Sequence, residues 1–130
     1  MRATIIVYIE QESIMPISIY HNPRCSKSRQ TLQLLRDRGY EPEIIEYLKT
    51  PPDGAAITKL LTMLGLGPID IMRTGEAEYR LAADEIQAMN ADDQVHWLAA
   101  NPKVLQRPIV VSGSKARIGR PPEAVLEILK

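Results

Sequence analysis

The sequence contains a single cysteine, Cys25, and this scarcity excludes several classes of protein. One cysteine cannot build a disulfide framework within the chain, and it cannot supply the thiolates of a cysteine-built zinc site. An excess of either charge is also missing, because 16 Lys and Arg balance 16 Asp and Glu. Nucleic-acid-binding proteins usually carry a basic excess. We therefore expect no metal centre and no nucleic-acid partner.

Long hydrophobic runs are missing as well. A transmembrane helix needs about 20 consecutive apolar residues, and no run in the sequence approaches that length. The short apolar stretch near the start is interrupted by Glu-Gln-Glu at residues 10–12, and no convincing signal-peptide cleavage site follows it. We therefore expect a protein of the cytoplasm that does not bind membranes. We also expect it to be a monomer.

The length of 130 residues fits one domain with a moderate core. A second plausible start of the domain occurs at Met15. We interpret residues 1–14 as an N-terminal extension of uncertain structure and residues 15–130 as a single domain.

The order of hydrophobic patterns predicts a mixed α/β fold. An apolar run at residues 17–20 indicates a buried strand, the helical periodicity of 26–38 ends at Gly39, and residues 41–47 indicate a second strand. The next segment predicts a helix from Pro51-Pro52-Asp53 to Gly65, and residues 68–101 show only helix and loop signals. Residues 108–111 and 115–118 indicate the two strands of a hairpin. Pro121-Pro122 introduces a last helix, with Val125, Leu126, Ile128 and Leu129 facing inward. This order, β-α-β, a helical insertion and β-β-α, is the layout of a thioredoxin-like sheet.

Cys25 is the leading candidate for chemistry, because it lies in a polar segment between the first strand and the first helix. A thiol at a helix N-terminus feels the positive end of the helix dipole, and Arg24, Lys27 and Arg29 add positive charge. Both effects favour the nucleophilic thiolate. The alternative is a small buried side chain, which is the usual fate of a free cysteine. If Cys25 does redox chemistry, a second thiol must come from another molecule.

Two neighbours of Cys25 are candidates for supporting it. Ser28, one helical turn later, could hydrogen-bond the thiolate or could be an ordinary serine on the helix surface. His21 could tune the thiol or position a proton, or it could form only structural hydrogen bonds. A cysteine phosphatase would carry an arginine six residues after the nucleophile, where this chain has Thr31.

Three arginines are placed to bind an anion. Arg107 precedes Pro108 and a strand, Arg120 follows the hairpin, and Arg73 lies in the helical middle. A guanidinium group is permanently charged and can bind an oxyanion through two hydrogen bonds. The alternative for any single arginine is a solvated surface charge.

From about residue 17 to residue 130 the chain closely resembles the glutaredoxin-linked arsenate reductases. The resemblance rests on motifs that occur in the same order along the domain. They are Ile-Tyr-His-Asn-Pro-x-Cys-x-x-Ser-Arg at 19–29, Glu-Pro-x-Ile-Ile-x-Tyr-Leu at 41–48, Pro-Pro at 51–52, the segment around Arg73, Arg-Pro-Ile-Val-Val at 107–111, and Arg-Pro at 120–121 before the last helix.

The resemblance implies a thioredoxin-like fold and the reduction of arsenate to arsenite. It assigns Cys25 as the nucleophile, His21 and Ser28 as groups that support the thiolate, and Arg73, Arg107 and Arg120 as the arginines that bind the oxyanion. It also implies glutathione as a co-substrate, glutaredoxin as a protein partner and no tightly bound cofactor.

Two alternatives stay open. A related group shares the fold, and some of its members are transcriptional regulators that bind RNA polymerase. Those regulators often keep a Cys-x-x-Cys switch, which Ser28 rules out in this chain. The other alternative is a glutathione-linked thiol oxidoreductase that acts on a different substrate.

Overall fold

A computed structural model describes residues 16–129. The N-terminal extension expected at residues 1–14 lies outside the described residues. Within the described part, four strands and four α-helices are joined by short 3₁₀ segments. The strands are β1 (Ile17–His21), β2 (Glu43–Glu46), β3 (Ile109–Ser112) and β4 (Lys115–Ile118); the helices are α1 (Ser26–Asp37), α2 (Gly54–Leu64), α3 (Ala77–Ala88) and α4 (Ala91–Ala100); the 3₁₀ segments are Pro68–Ile71, Pro102–Val104 and Pro122–Ile128.

The four strands form one mixed sheet in the order β2-β1-β3-β4. Strands β1 and β2 run parallel, with His21 opposite Glu46, whereas β3 is antiparallel to both β1 and β4. The parallel pair is connected through α1, because parallel strands need a crossover rather than a tight turn. This arrangement confirms the predicted thioredoxin-like fold, with the helical insertion between β2 and β3.

Local sequence signals explain where the helices begin and end. Gly39, two residues after α1, and Gly65, at the end of α2, have φ angles of 87° and 70°, which are accessible to glycine without steric cost. At the start of α2, the Asp53 carboxylate accepts a hydrogen bond of 2.8 Å from the Ala56 amide. Glycine and capping signals therefore placed these helix ends correctly.

The hydrophobic core lies on both faces of the sheet. On one face, Ile19 and Val110 pack against Leu32 and Leu35 of α1 and against Val125 of the C-terminal 3₁₀ segment. On the other face, a larger cluster is formed with the helical insertion. It includes Tyr47, Ile57, Leu60, Ile71, Met72, Tyr79, Ile86, Val95, Leu98, Val104, Leu105 and Ile109. The alternation of side chains along β1 and β3 sends successive residues to these two faces.

The last helix differs from the prediction, because residues 122–128 form a 3₁₀ helix rather than an α-helix. Pro121 and Pro122 have no amide hydrogen to donate, and the Ala124 amide bonds the Pro121 carbonyl three residues back at 3.0 Å. Val125 is buried, while Leu126 is only partly buried and Ile128 and Leu129 pack against the edge of the core. A 3₁₀ helix has three residues per turn instead of about 3.6, so the four predicted residues do not all lie on its buried side.

Residues 68–101, which lie between β2 and β3, contain only helices and loops, as predicted. Within residues 16–129, no helix is both long enough and apolar enough to cross a bilayer.

Candidate active site

The sheet topology brings the predicted site residues to one edge. The Cys25 loop follows the carboxyl end of β1, and Tyr47 follows the carboxyl end of the parallel strand β2. Because β3 runs the other way, its first residue, Ile109, pairs with Tyr20 near the end of β1. Ile109 also pairs with Ile118 at the end of β4. The segments that carry Arg107 and Arg120 therefore meet the Cys25 loop at this edge.

Cys25 is the N-cap residue of α1 and is half-buried. Its amide donates a hydrogen bond of 3.0 Å to the Asn22 carbonyl, which closes the turn before the helix. Burial raises the pKa of the Cys25 thiol, but this effect is outweighed by the Ser28 backbone amide, the Arg107 side chain, the Arg120 charge and the Lys27 amide, so the pKa lies below its usual value. The shift is in the direction that favours the thiolate, and the side chains that cause it are Arg107 and Arg120.

Arg120 contacts the thiol directly. Its Nη2 lies 3.5 Å from the Cys25 sulfur, and its Nε donates a hydrogen bond of 2.8 Å to the Arg107 carbonyl. The Gly119 amide bonds the Pro108 carbonyl at 2.9 Å, and a Cβ at Gly119 would lie only 2.6–2.7 Å from Thr31 and Pro108. This close approach holds the backbone before Arg120 against α1 and the Arg107-Pro108 segment.

Gln106 links the other two arginines. Its Oε1 accepts hydrogen bonds from the Arg107 amide at 3.2 Å and from Arg73 Nη1 at 3.3 Å. Met72 forms an isolated β-bridge with Leu105, and the Arg73 amide bonds the Val104 carbonyl at 2.7 Å. Arg73 thus joins the site through the Gln106 segment, and its Nε lies 3.6 Å from the Glu76 carboxylate.

His21 and Ser28 form a buried pair under the Cys25 loop. His21 Nδ1 and Ser28 Oγ are 2.6 Å apart, and Ser28 Oγ accepts a hydrogen bond of 3.0 Å from the Asn22 amide. Ser28 has no exposed surface, so the alternative of a helix-surface serine is wrong. The Ser28 hydroxyl bonds His21 and Asn22 instead of the thiol, and it is the Ser28 backbone amide that favours the thiolate. This pair anchors the loop to the helix.

The environment of His21 keeps its imidazole neutral. Burial lowers the pKa of His21, and the charges of Arg36 and Arg29 lower it further, although Glu46 opposes the shift. With Nδ1 unprotonated, the Ser28 hydroxyl can donate its hydrogen to that nitrogen. Neutral His21 therefore matches the hydrogen bonds around it.

We expect the free energy of unfolding to decrease as the pH is lowered, because His21 then takes up a proton. In the unfolded chain the histidine pKa is about 6.5, whereas in the folded chain it is lower. The stabilisation is therefore complete above the unfolded value and is lost as the pH falls through the folded value. One such group adds at most about 1.4 kcal/mol of unfolding free energy per pH unit. His21→Gln should flatten this part of the profile.

Urea unfolding between pH 4.5 and 7.5 measures this effect. His96→Gln removes the exposed second histidine and is the matched control, which should retain the slope of the wild-type protein. Equal slopes in His21→Gln and the wild type would contradict the role given to His21.

Three polar residues at the site were not predicted from the sequence. Gln106 bridges two arginines, and the Asn22 side chain accepts a hydrogen bond of 3.0 Å from the Arg24 amide within the loop. Tyr47 is fully buried beside the same loop. Gln106 could have been found by its position next to Arg107, but nothing in the local sequence distinguishes Tyr47 from a core tyrosine. Among residues 16–129, no group of three or more His, Cys, Asp or Glu side chains could hold a metal ion.

The chain is similar in sequence to proteins of one known family. A sequence model of the ArsC family matches residues 20–128. Over 114 residues the chain is 47% identical to "Uncharacterized protein YfgD" of Escherichia coli K12, with 87% of this chain and 96% of that protein covered. It is 39% identical over 114 residues to the arsenate reductase of Neisseria meningitidis serogroup B, with 87% and 97% covered.

A solved structure agrees with the sequence comparison. The arsenate reductase from Vibrio cholerae superposes with a TM-score of 0.83 at 43% identity, with 88% of this chain and 98% of that chain covered. The family match spans most of the chain, and the structural match covers 88% of it. The chain therefore belongs to the ArsC family.

Proposed function

We propose that this protein reduces arsenate to arsenite, with Cys25 as the nucleophile and with glutathione and glutaredoxin supplying the other two thiols. The contact between the Cys25 sulfur and Arg120 at 3.5 Å carries the proposal. It places an activated thiol beside a guanidinium group that can bind an oxyanion. The names of the relatives from Neisseria meningitidis and Vibrio cholerae support arsenate as the substrate.

The first step forms a bond between sulfur and arsenic. Arsenate is a tetrahedral oxyanion, and a thiolate must overcome charge repulsion to approach it. Arg107 and Arg120 offset this repulsion, and Arg73 completes the positive site through Gln106. The Cys25 thiolate attacks arsenic, one arsenate oxygen takes up protons and leaves as water, and arsenic stays at oxidation state five.

The electrons for reduction come from two external thiols. Glutathione replaces a second oxygen on arsenic, which also leaves as water. A glutaredoxin thiolate then attacks the glutathione sulfur, and the electron pair of the sulfur–arsenic bond passes to arsenic, which becomes arsenic(III). The two external sulfurs are oxidised to a mixed disulfide. Water cleaves the remaining bond to Cys25, so the net reaction converts arsenate and two thiols into arsenite, a disulfide and water.

The solitary cysteine suits this sequence of steps. Within the chain no second cysteine can attack the Cys25–arsenic bond, because Cys25 is alone in the sequence and position 28 holds a serine. The cycle therefore depends on thiols that are kept reduced, which are characteristic of the cytoplasm. We propose the cytoplasm as the place of the reaction for this reason.

A coupled assay tests the proposal directly. Purified protein is incubated with arsenate, glutathione, glutaredoxin, glutathione reductase and NADPH, and NADPH oxidation is followed by absorbance. We expect oxidation that requires arsenate and stops when either glutathione or glutaredoxin is omitted. A folded protein that gives no arsenate-dependent oxidation would contradict the proposal.

A second candidate is a glutathione-linked thiol oxidoreductase with another substrate. The 47% identity to YfgD favours keeping it, because that relative is more similar than the arsenate reductase of Neisseria meningitidis and its name states no substrate. In the same assay, the second candidate predicts turnover with a different thiol-reactive substrate and none with arsenate.

A further inference from the structure

The hydroxyl of Tyr47 is a buried polar group without a hydrogen-bond partner in the described structure. Tyr47 follows Glu46, the last residue of β2, and Glu46 lies opposite His21 at the end of β1. Its ring has no exposed surface and packs in the core cluster with Met72 and Leu105. These two residues directly precede Arg73 and Gln106. Arg107, Asn22, Cys25 and Arg73 each affect the pKa of the Tyr47 hydroxyl, so Tyr47 lies close to the Cys25 loop and to the segments that carry two of the arginines.

The groups that surround this hydroxyl are mostly hydrogen-bond donors. Burial raises the pKa of Tyr47, the Arg107 charge and the Asn22 side chain lower it, a Cys25 thiolate raises it, and the Arg73 charge lowers it, with a net increase. Tyr47 therefore keeps its proton at neutral pH. Guanidinium groups have no acceptor for that proton, and the Asn22 side chain lowers the pKa of Tyr47 as a hydrogen-bond donor does, while its Oδ1 accepts from the Arg24 amide.

Two further donors at the site are also buried. Arg107 Nε has no hydrogen-bond partner within residues 16–129, and Arg73 Nε has only the Glu76 carboxylate 3.6 Å away, beyond hydrogen-bonding distance. Buried polar groups are nearly always paired, so unpaired groups in one place need an explanation. A tetrahedral oxyanion supplies several acceptor oxygens and no competing positive charge. It can therefore pair with donors that the protein leaves unpaired.

We propose that the Tyr47 hydroxyl is a further substrate-binding group, which donates a hydrogen bond to an oxygen of the tetrahedral oxyanion held at Cys25. The inference rests on the proposed function for the class of ligand. The hydroxyl is buried, whereas the Cys25 and Arg107 side chains are only half-buried, so contact between the hydroxyl and the anion requires those two side chains to shift. Tyr47 then adds a neutral donor to the three arginines.

The test compares two proteins that differ only in this hydroxyl. In a Cys25→Ser background no bond to arsenic can form through sulfur, so the binding of arsenate or sulfate is non-covalent and can be measured by calorimetry. Tyr47→Phe in this background should bind both anions about tenfold more weakly, which corresponds to the loss of one hydrogen bond to a charged group. The melting temperature of the ligand-free protein should not fall, because only an unpaired hydroxyl is removed.

Tyr40→Phe is the matched control. It also removes a single tyrosine hydroxyl, one that bonds the Leu129 carbonyl at 3.4 Å, and its ring packs on the opposite face of the sheet. We expect anion affinity in this variant to equal that of the Cys25→Ser parent.

Three other outcomes of these measurements would each contradict at least one of the two proposals. If the parent binds anions and Tyr47→Phe binds them equally well, the inference about Tyr47 is wrong while the proposed function stands. If the parent binds neither arsenate nor sulfate, the anion site itself is wrong and both proposals fall. If Tyr47→Phe in the Cys25 protein raises the thiol pKa without weakening anion binding, the hydroxyl donates to the thiolate, and the inference is overturned.

Discussion

Replacing Cys25 with serine is expected to lower glutathione- and glutaredoxin-dependent arsenate reduction to below about a thousandth of the wild-type rate. Serine keeps the size of the side chain, but its hydroxyl stays protonated in a site that lowers the pKa of a thiol. The bond to arsenic then cannot form. The coupled NADPH assay measures the loss, and no other cysteine in the chain can replace Cys25.

Cys25→Ser should keep the backbone hydrogen bonds of the Cys25 turn. The Cys25 amide and carbonyl hold the turn and the first turn of α1 through hydrogen bonds to the Asn22 carbonyl and from the Arg29 amide, each 3.0 Å long. Serine keeps both, so the melting temperature and sulfate binding should stay close to wild type. Substantial turnover in this variant would refute the assignment of Cys25 as the nucleophile.

The second large effect is expected from the arginines. Arg120→Ala and Arg107→Ala should each weaken arsenate or sulfate binding by about 1.5–3 kcal/mol, or roughly tenfold to a hundredfold, because each removes a charged hydrogen-bond donor. Both changes should also raise the apparent pKa of the Cys25 thiol, since Arg107 and Arg120 both lower it in the wild-type protein. Iodoacetamide labelling as a function of pH measures the thiol, and calorimetry measures the anion.

A matched control is available on the adjoining strand. Arg117→Ala removes the same charge three residues before Arg120, from an exposed side chain of β4 that forms an ion pair with Glu127. Such surface pairs contribute about 1 kcal/mol or less, and we expect anion affinity and thiol reactivity to be retained. Arg120→Lys separates charge from geometry, because lysine cannot both bond the Arg107 carbonyl and present a second nitrogen to the sulfur. Unchanged anion affinity in both alanine variants would refute the arginine site.

Much of the fold could be predicted because its signals are local. The apolar run of β1, the periodicity of α1, and the glycines at 39 and 65 each act within a few residues. The C-terminal 3₁₀ segment was predicted as a helix of the wrong type, because hydrophobic spacing over seven residues does not distinguish the two windings. In the folded chain the Ala124 amide bonds the carbonyl three residues back, which is the bonding of the tighter winding.

The candidate site was predictable in its parts and not in its connections. A cysteine before a helix and an arginine next to a strand are visible in the sequence, and the functional roles given to them stay predictions. The hydrogen bonds of Ser28 were not visible, because its position one turn after Cys25 suggested a bond to the thiol. In the folded chain its hydroxyl is buried against His21, which belongs to the strand under the helix.

The sequence by itself determined a thiol at the start of a helix, the absence of any second thiol in the chain, and the order of strands and helices. These properties depend on residue identity and on interactions between near neighbours. Only the tertiary structure decided that Arg73 joins Arg107 through Gln106, that Arg120 contacts the Cys25 sulfur, and that an unpaired tyrosine hydroxyl lies among them. The physical reason is that these contacts join segments far apart in sequence, which are brought together by the pairing of β3 with β1 and β4 and by the bridge between Met72 and Leu105.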